Sequence, residues 1–157
     1  MCDLPNQLGA LQATGLLTVM SELTRGRIDL GFLGAGEVDR YGNLNSTWVG
    51  PNGRRIRLPG SGGACDIASL ARRVVVVLRE EGHRFQERVT YLTSPGHGEG
   101  NGWRERVGLP PGGTVRVITQ RGVYGFPSPD RSMVVESIHP GVSPEELAIV
   151  SIPPKPV

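Results

Sequence analysis

The chain has 157 residues, with 17 lysine and arginine side chains against 15 aspartate and glutamate, three histidines and a formal net charge of +2. That length suits one domain over residues 1–157, able to bury roughly 70% of its unfolded surface, and the near-neutral balance leaves no basic face for nucleic acid. Cys2 and Cys65 cannot build a disulfide framework, His83, His97 and His139 stand singly with no metal-ligand spacing, and no run reaches the ~18 apolar residues of a membrane span.

The first residues lack the basic-then-apolar pattern of a secretory leader, so the chain is read as soluble and cytoplasmic. Glycine and proline, 23 and 13 residues, punctuate apolar runs without repeating, which marks a loop-rich globular chain.

In chain order, Leu8, Leu11, Leu16, Val19, Met20 and Leu23 predict a helix over 8–24 that stops at Arg25 and Gly26. A short buried strand follows at 28–33. The next stretch, 35–59, is rich in Gly, Asn, Asp and Pro and reads as one long loop, a length that in a compact domain points to function. A helix is expected at 64–71, then the clearest strand, the unbroken apolar run 74–78 of four β-branched valines and Leu78, as for a strand covered on both faces of a parallel sheet. Further strands are expected at 88–92, 114–119, 123–126 and 133–137. Ser143 with Glu146 three residues on signals a last helix start, closed by Ile152, Pro153 and Pro154. Strands alternating with helices predict an α/β fold, with ligands at the carboxyl ends of the strands.

Two loops carry the chemistry. Gly60-Ser61-Gly62-Gly63 runs straight into the 64–71 helix; glycines open the backbone so that amides approach a ligand, and the helix start adds positive potential. That suits an anion or a developing oxyanion. The loop 34–47 offers Gly36, Glu37, Asp39, Asn43 and Asn45, the asparagines as amide donors that also serve ordinary turns. Arg54, Arg55 and Arg57 form a basic run without aromatic interleaving, read as a solvated loop or a docking point for phosphate or carboxylate. Cys65 is read as a small buried residue and His139 as structural.

Gly31-Phe32-Leu33-Gly34-Ala35-Gly36-Glu37-Val38-Asp39-Arg40-Tyr41-Gly42-Asn43-Leu44-Asn45, together with the 60–66 loop, resembles the family I CoA-transferases, in the B-type subunit and its glutaconate and 3-oxoadipate branch. Tyr91-Leu92-Thr93-Ser94-Pro95-Gly96, Gly122-Val123-Tyr124-Gly125-Phe126 and Ser137-Ile138-His139-Pro140-Gly141 continue the resemblance in family order over about 25–147. It implies an open, mainly parallel α/β sheet with flanking helices, of the type shared with ribose-phosphate isomerases. It also implies an A-type partner subunit in a hetero-oligomer, with no nucleic-acid or membrane partner, and a coenzyme A ester as substrate rather than a resident cofactor. CoA would pass between carboxylic acids through a thioester on a glutamate of the B-type subunit. Ser61, Gly62, Gly63, Gly36, Asn43 and Asn45 would then face CoA or the oxyanion.

The sequence departs from this pattern at the nucleophile, which the family carries in a Glu-Ser-Gly or Glu-Asn-Gly motif before the Gly-Phe-Leu-Gly strand. Glu22 is followed by Leu23 and Thr24, and neither motif occurs in the chain. The chain therefore reads as the middle and later part of a B-type subunit that supplies the oxyanion and CoA-facing loops. Glu37 stands where relatives often carry glutamine; it is a candidate substitute nucleophile or a hydrogen-bonding equivalent of that glutamine. Three readings stay open: an enzyme subunit, a short non-catalytic homologue that binds acyl-CoA or an A-type subunit, and a CoA-ester hydrolase.

Overall fold

A computed structural model describes residues 8–50 and 55–148. Cys2, Arg54 and the 152–156 ending lie outside the described residues.

The first helix, α1 (Leu16–Thr24), begins at Gly15, which is extended. It is shorter than the apolar spacing predicts, because Leu8 and Leu11 find nothing to pack against and are 82% and 107% exposed. Within α1 only Leu23 is buried. Strand β1 (Leu30–Leu33) leads into the segment expected to be one loop. That segment instead holds four short strands: β2 (Glu37–Asp39), β3 (Leu44–Asn45), β4 (Trp48–Val49) and β5 (Ile56–Arg57). Helix α2 (Ala64–Leu70) and strand β6 (Arg73–Val77) fall where they are expected.

No strand forms at 88–92. The nearest, β7, is Phe85–Gln86. The reason is local: the Val89 and Thr90 amides donate to the side-chain carboxylates of Asp39 (3.4 Å) and Glu37 (2.9 Å) instead of to a neighbouring strand. A short helix that periodicity does not reveal, α3 (Trp103–Arg106), precedes β8 (Thr114–Ile118), β9 (Gly122–Gly125) and β10 (Val134–Ile138). The helix start at Ser143 is a single 3-10 turn, Pro144–Glu146, in which the Ser143 amide donates to Glu146 Oε1 at 3.0 Å.

The main sheet has the order β1-β6-β8-β9-β10. β1, β6 and β8 are parallel, β9 is antiparallel to β8, and β10 is antiparallel to β9. Four of the five strands thus run the same way, in a mainly parallel α/β sheet. α2 packs onto β1 so closely that a β-carbon on Gly31 would stand 2.4 Å from Ile67 Cγ2. A second sheet, β3-β2-β7, meets the first where Phe85 and Tyr124 place their ring centres 5.4 Å apart. One apolar cluster runs from Leu23 and Ala71 through Val74, Val76 and Val117 to Val38, Leu44 and Phe85. Both sides of β6 are covered at Val74, Val75 and Val76, which accounts for its unbroken β-branched run. No described helix is long and apolar enough to cross a membrane.

Candidate functional site

β1 and β6 are parallel neighbours joined through α2, so the start of α2 lies at the carboxyl ends of the strands, beside the chain leaving β1. The two loops singled out in the sequence interlock there. Ser46 Oγ donates to the Gly60 carbonyl at 2.9 Å and the Gly60 amide donates back to the Ser46 carbonyl at 2.8 Å. Leu58 N donates to Thr47 O at 3.0 Å, and Gly36 N to Asn45 O at 2.8 Å. A β-carbon on Gly36 would meet Leu58 Cδ1 at 2.4 Å and the Asn45 carbonyl oxygen at 3.3 Å, so a side chain there would displace Leu58 and crowd the paired backbone. Gly60 has φ +95°, which turns the backbone out of the hairpin and into the next residues. Ser61 and Gly62 are exposed. The Gly62 and Gly63 amides have no protein acceptor among the described residues, whereas Ser61 O accepts from Ala64 N at 2.7 Å.

Behind this turn lies a buried polar network. Glu37, 5% exposed, accepts from Asn45 Nδ2 (2.7 Å), Thr90 N (2.9 Å) and Thr90 Oγ1 (2.9 Å). Asn45 also donates to Trp48 O at 2.8 Å, so both its amide hydrogens are engaged internally. Asn43 donates to Asp39 Oδ2 (3.0 Å) and Gly98 O (2.8 Å) while its oxygen accepts from Gly96 N and Gly98 N. The two asparagines therefore hold the loops in place and present no free amide hydrogen to a ligand. Asp39 accepts from Tyr41 N and Asn43 N, and burial pushes its carboxyl above the ordinary range against those hydrogen bonds.

The basic run has aromatic company that its local sequence does not show. Arg55 lies 4.7 Å from the centre of the Trp48 ring, and Tyr91, far along the chain, lies 6.2 Å from Trp48. Cys65 is a free, half-buried thiol. Among the described residues no three His, Cys, Asp or Glu side chains are grouped to hold a metal ion.

Residues 8–149 match the coenzyme A transferase family. The chain belongs to that family. It is 43% identical over 126 residues to the B-type subunit of 3-oxoadipate CoA-transferase from Pseudomonas knackmussii, covering 80% of this chain and 48% of that protein. It is 37% identical over 120 residues to the B-type subunit of glutaconate CoA-transferase from Acidaminococcus fermentans, covering 75% and 45%. The crystal structure of glutaconate coenzyme A-transferase from Acidaminococcus fermentans superposes with a TM-score of 0.74 at 33% identity, over 82% of this chain and 52% of that one. The chain spans about half the length of the curated relatives it matches.

Three buried groups of this CoA-transferase chain escape a reading of the sequence. Glu80, 2% exposed, accepts from Thr119 Oγ1, Tyr124 Oη and Ala148 N. Burial and that bond to Glu80 push the Tyr124 hydroxyl far above its ordinary value, so it stays protonated and donates. Arg104 donates to four carbonyls, of Pro110 (3.1 Å), Ala68 (3.2 Å), Gly96 (2.9 Å) and Ser69 (2.7 Å). His97 Nε2 lies 2.8 Å from Thr114 O; a carbonyl only accepts, so Nε2 carries the proton. Burial lowers the His97 pKa to about 4. The signal available in the sequence is slight: a pair of acids, Glu80 and Glu81, just after the valine strand, and a histidine among glycines.

Proposed function

We propose that this chain forms part of the B-type subunit of a hetero-oligomeric CoA-transferase that moves CoA between carboxylic acids, a dicarboxylate or 3-oxo acid among them. The observation that carries the reading is the 60–63 turn, whose Gly62 and Gly63 amides lack protein acceptors among the described residues while Ser46 and Gly36 lock the turn against the 34–47 loop. Fixed backbone donors of this kind lower the cost of charge developing on a thioester carbonyl oxygen, by about 3–4 kcal/mol for one donor. A carboxylate is a weak nucleophile toward a thioester, so the reaction needs such donors in a water-poor pocket. That closure is the contribution assigned to an A-type partner subunit.

The glutamate that carries the thioester comes from a Glu-Ser-Gly or Glu-Asn-Gly segment of the same assembly. Glu37, held by three donors, organises the loops, and Asn43 and Asn45 stand behind the site as its frame. The substrate is a coenzyme A ester, no resident cofactor takes part, and a cytoplasmic setting fits that substrate. Purification with an A-type subunit and an assay of CoA transfer from an acyl-CoA to a dicarboxylic acid test this reading. Transfer that depends on the acceptor acid is expected; release of free acid without an acceptor would replace it with a hydrolase.

A further inference from the structure

Two adjoining clefts, of about 230 and 410 Å³, share His97, Gly112 and Arg131. His97 is 7% exposed, and its ring is fixed twice over. Nε2 donates to Thr114 O at 2.8 Å, and the ring centre lies 5.2 Å from that of Phe126. The other ring nitrogen, Nδ1, has no partner among the described residues. It is not sealed in, since among those residues Ser94 Oγ is the one unpartnered side-chain atom cut off from solvent. Gly113, at φ +97°, leaves Nδ1 uncovered: a β-carbon there would stand 3.2 Å from Nδ1 and 3.0 Å from Cε1.

Burial, with the charges of Arg131 and Arg104 adding to it, lowers the His97 pKa to about 4, so the ring is uncharged at neutral pH. With the proton on Nε2, Nδ1 offers a lone pair, and a ligand must bring a hydrogen to it. Arg131 on the same walls favours negative charge. Its Nη1 donates to Phe126 O at 3.4 Å, and it forms no ion pair with a carboxylate among the described residues. Of the acids on the walls, Glu136 is held by Arg116 at 2.6 Å, and Glu105 lines the smaller cleft alone. A phosphomonoester supplies a proton and negative charge in one group near neutral pH, because its second pKa is about 6. Carboxylates have lost their proton there, and sulfates and phosphodiesters carry none.

We propose that the larger cleft binds a phosphomonoester, with its P–OH donating to His97 Nδ1 and its anionic oxygens on the Arg131 guanidinium. The site does not depend on the CoA-ester reading of the 60–63 turn. Selectivity follows from the proton. Sulfate matches phosphate in shape, but it would turn an oxygen lone pair toward that of Nδ1.

An NMR titration of the full chain, with nitrogen-15 in the histidine rings, tests the site using inorganic phosphate and sulfate at about pH 6.5, near the phosphate pKa. Phosphate is expected to bind about tenfold more tightly than sulfate and to shift the Nδ1 signal of His97, which sulfate leaves in place. Arg131→Asn should weaken phosphate binding about tenfold; asparagine tolerates the left-handed backbone, φ +60°, of that position, and the spectrum itself reports whether the variant is folded. Equal affinity for the two anions, an unmoved Nδ1 signal, undiminished binding by Arg131→Asn, or no binding at all would each overturn the assignment. Coenzyme A and its 3′-dephospho form, added as competitors, separate the sources of the phosphomonoester. Displacement of phosphate by coenzyme A alone assigns the 3′-phosphate of the substrate, displacement by neither assigns a different phosphomonoester, and both results uphold the site. Equal displacement by the two would show that no P–OH is needed and would overturn it. None of these results bears on acyl transfer at the 60–63 turn.

Discussion

Ser46 and Gly60 exchange two hydrogen bonds, Oγ to carbonyl at 2.9 Å and amide to carbonyl at 2.8 Å. This pair ties the loop that follows β1 to the turn that precedes α2, and the mutual position of the two loops depends on it. Ser46→Ala removes the side-chain half. The expected cost is about 1 kcal/mol of stability, read as a lower urea midpoint, with a larger relative loss of acyl-CoA affinity because the turn is no longer held.

Glu37 faces three donors and no cation among its hydrogen-bond partners. Glu37→Gln turns an amide NH2 toward one of those donors, and leaving a buried donor without an acceptor costs about 1–3 kcal/mol. Chemical denaturation should show a loss in that range. Treatment with acyl-CoA and borohydride should leave Glu37 unmodified in the wild-type chain, as peptide mass spectrometry would read; a reduced adduct on Glu37 would make it the nucleophile.

Arg104 clasps the last turn of α2, through the Ala68 and Ser69 carbonyls, to Gly96 and Pro110. A lysine has three donors and no planar fork, so it cannot reproduce the four contacts. Arg104→Met should destabilise the chain by about 3 kcal/mol, and Arg104→Lys by less, both measured as shifts in the thermal midpoint.

His97 gives a pH dependence of definite sign. Its folded pKa of about 4 lies below the ordinary value of 6.5, so between these values the unfolded chain binds the extra proton. The stability linked to neutral His97 is fully present above about pH 6.5, declines as the pH falls, and is gone near pH 4, for a total of about 3 kcal/mol. Denaturant midpoints measured from pH 7.5 to 4.5 should fall more steeply for the wild-type chain than for His97→Gln, which keeps a donor to Thr114 O without a titrating ring.

The elements that could be read from sequence are those whose cause is local. The run Val74-Val75-Val76 makes a strand because it is buried on both faces, and Ala64 to Leu70 makes a helix directly after a glycine turn. The elements misjudged are those decided at a distance. Residues 88–92 look strand-like, yet their amides belong to carboxylates some fifty positions earlier, at Asp39 and Glu37. The 8–24 pattern looks helical throughout, but only the part near α2 folds as helix, since Leu8 and Leu11 meet no partner surface. The candidate site divides in the same way. Ser61, Gly62 and Gly63 are marked by composition, whereas the internal roles of Asn43 and Asn45 depend on Gly98 and Glu37 and appear only once the chain is folded. Trp48 and Arg55 stand seven positions apart, so their stacking is invisible until the hairpin closes.

Hydrogen–deuterium exchange of the full chain, with and without an acyl-CoA ester, reads directly whether the 60–63 turn receives the thioester. Slowed exchange is expected at the amides of residues 60–64, Gly62 and Gly63 above all, with lesser slowing in the 36–47 loop behind them. Unchanged exchange in that turn, with protection confined to the separate cleft of about 410 Å³ lined by His97, Thr114, Arg116, Arg131 and Glu136, would contradict that role of the turn.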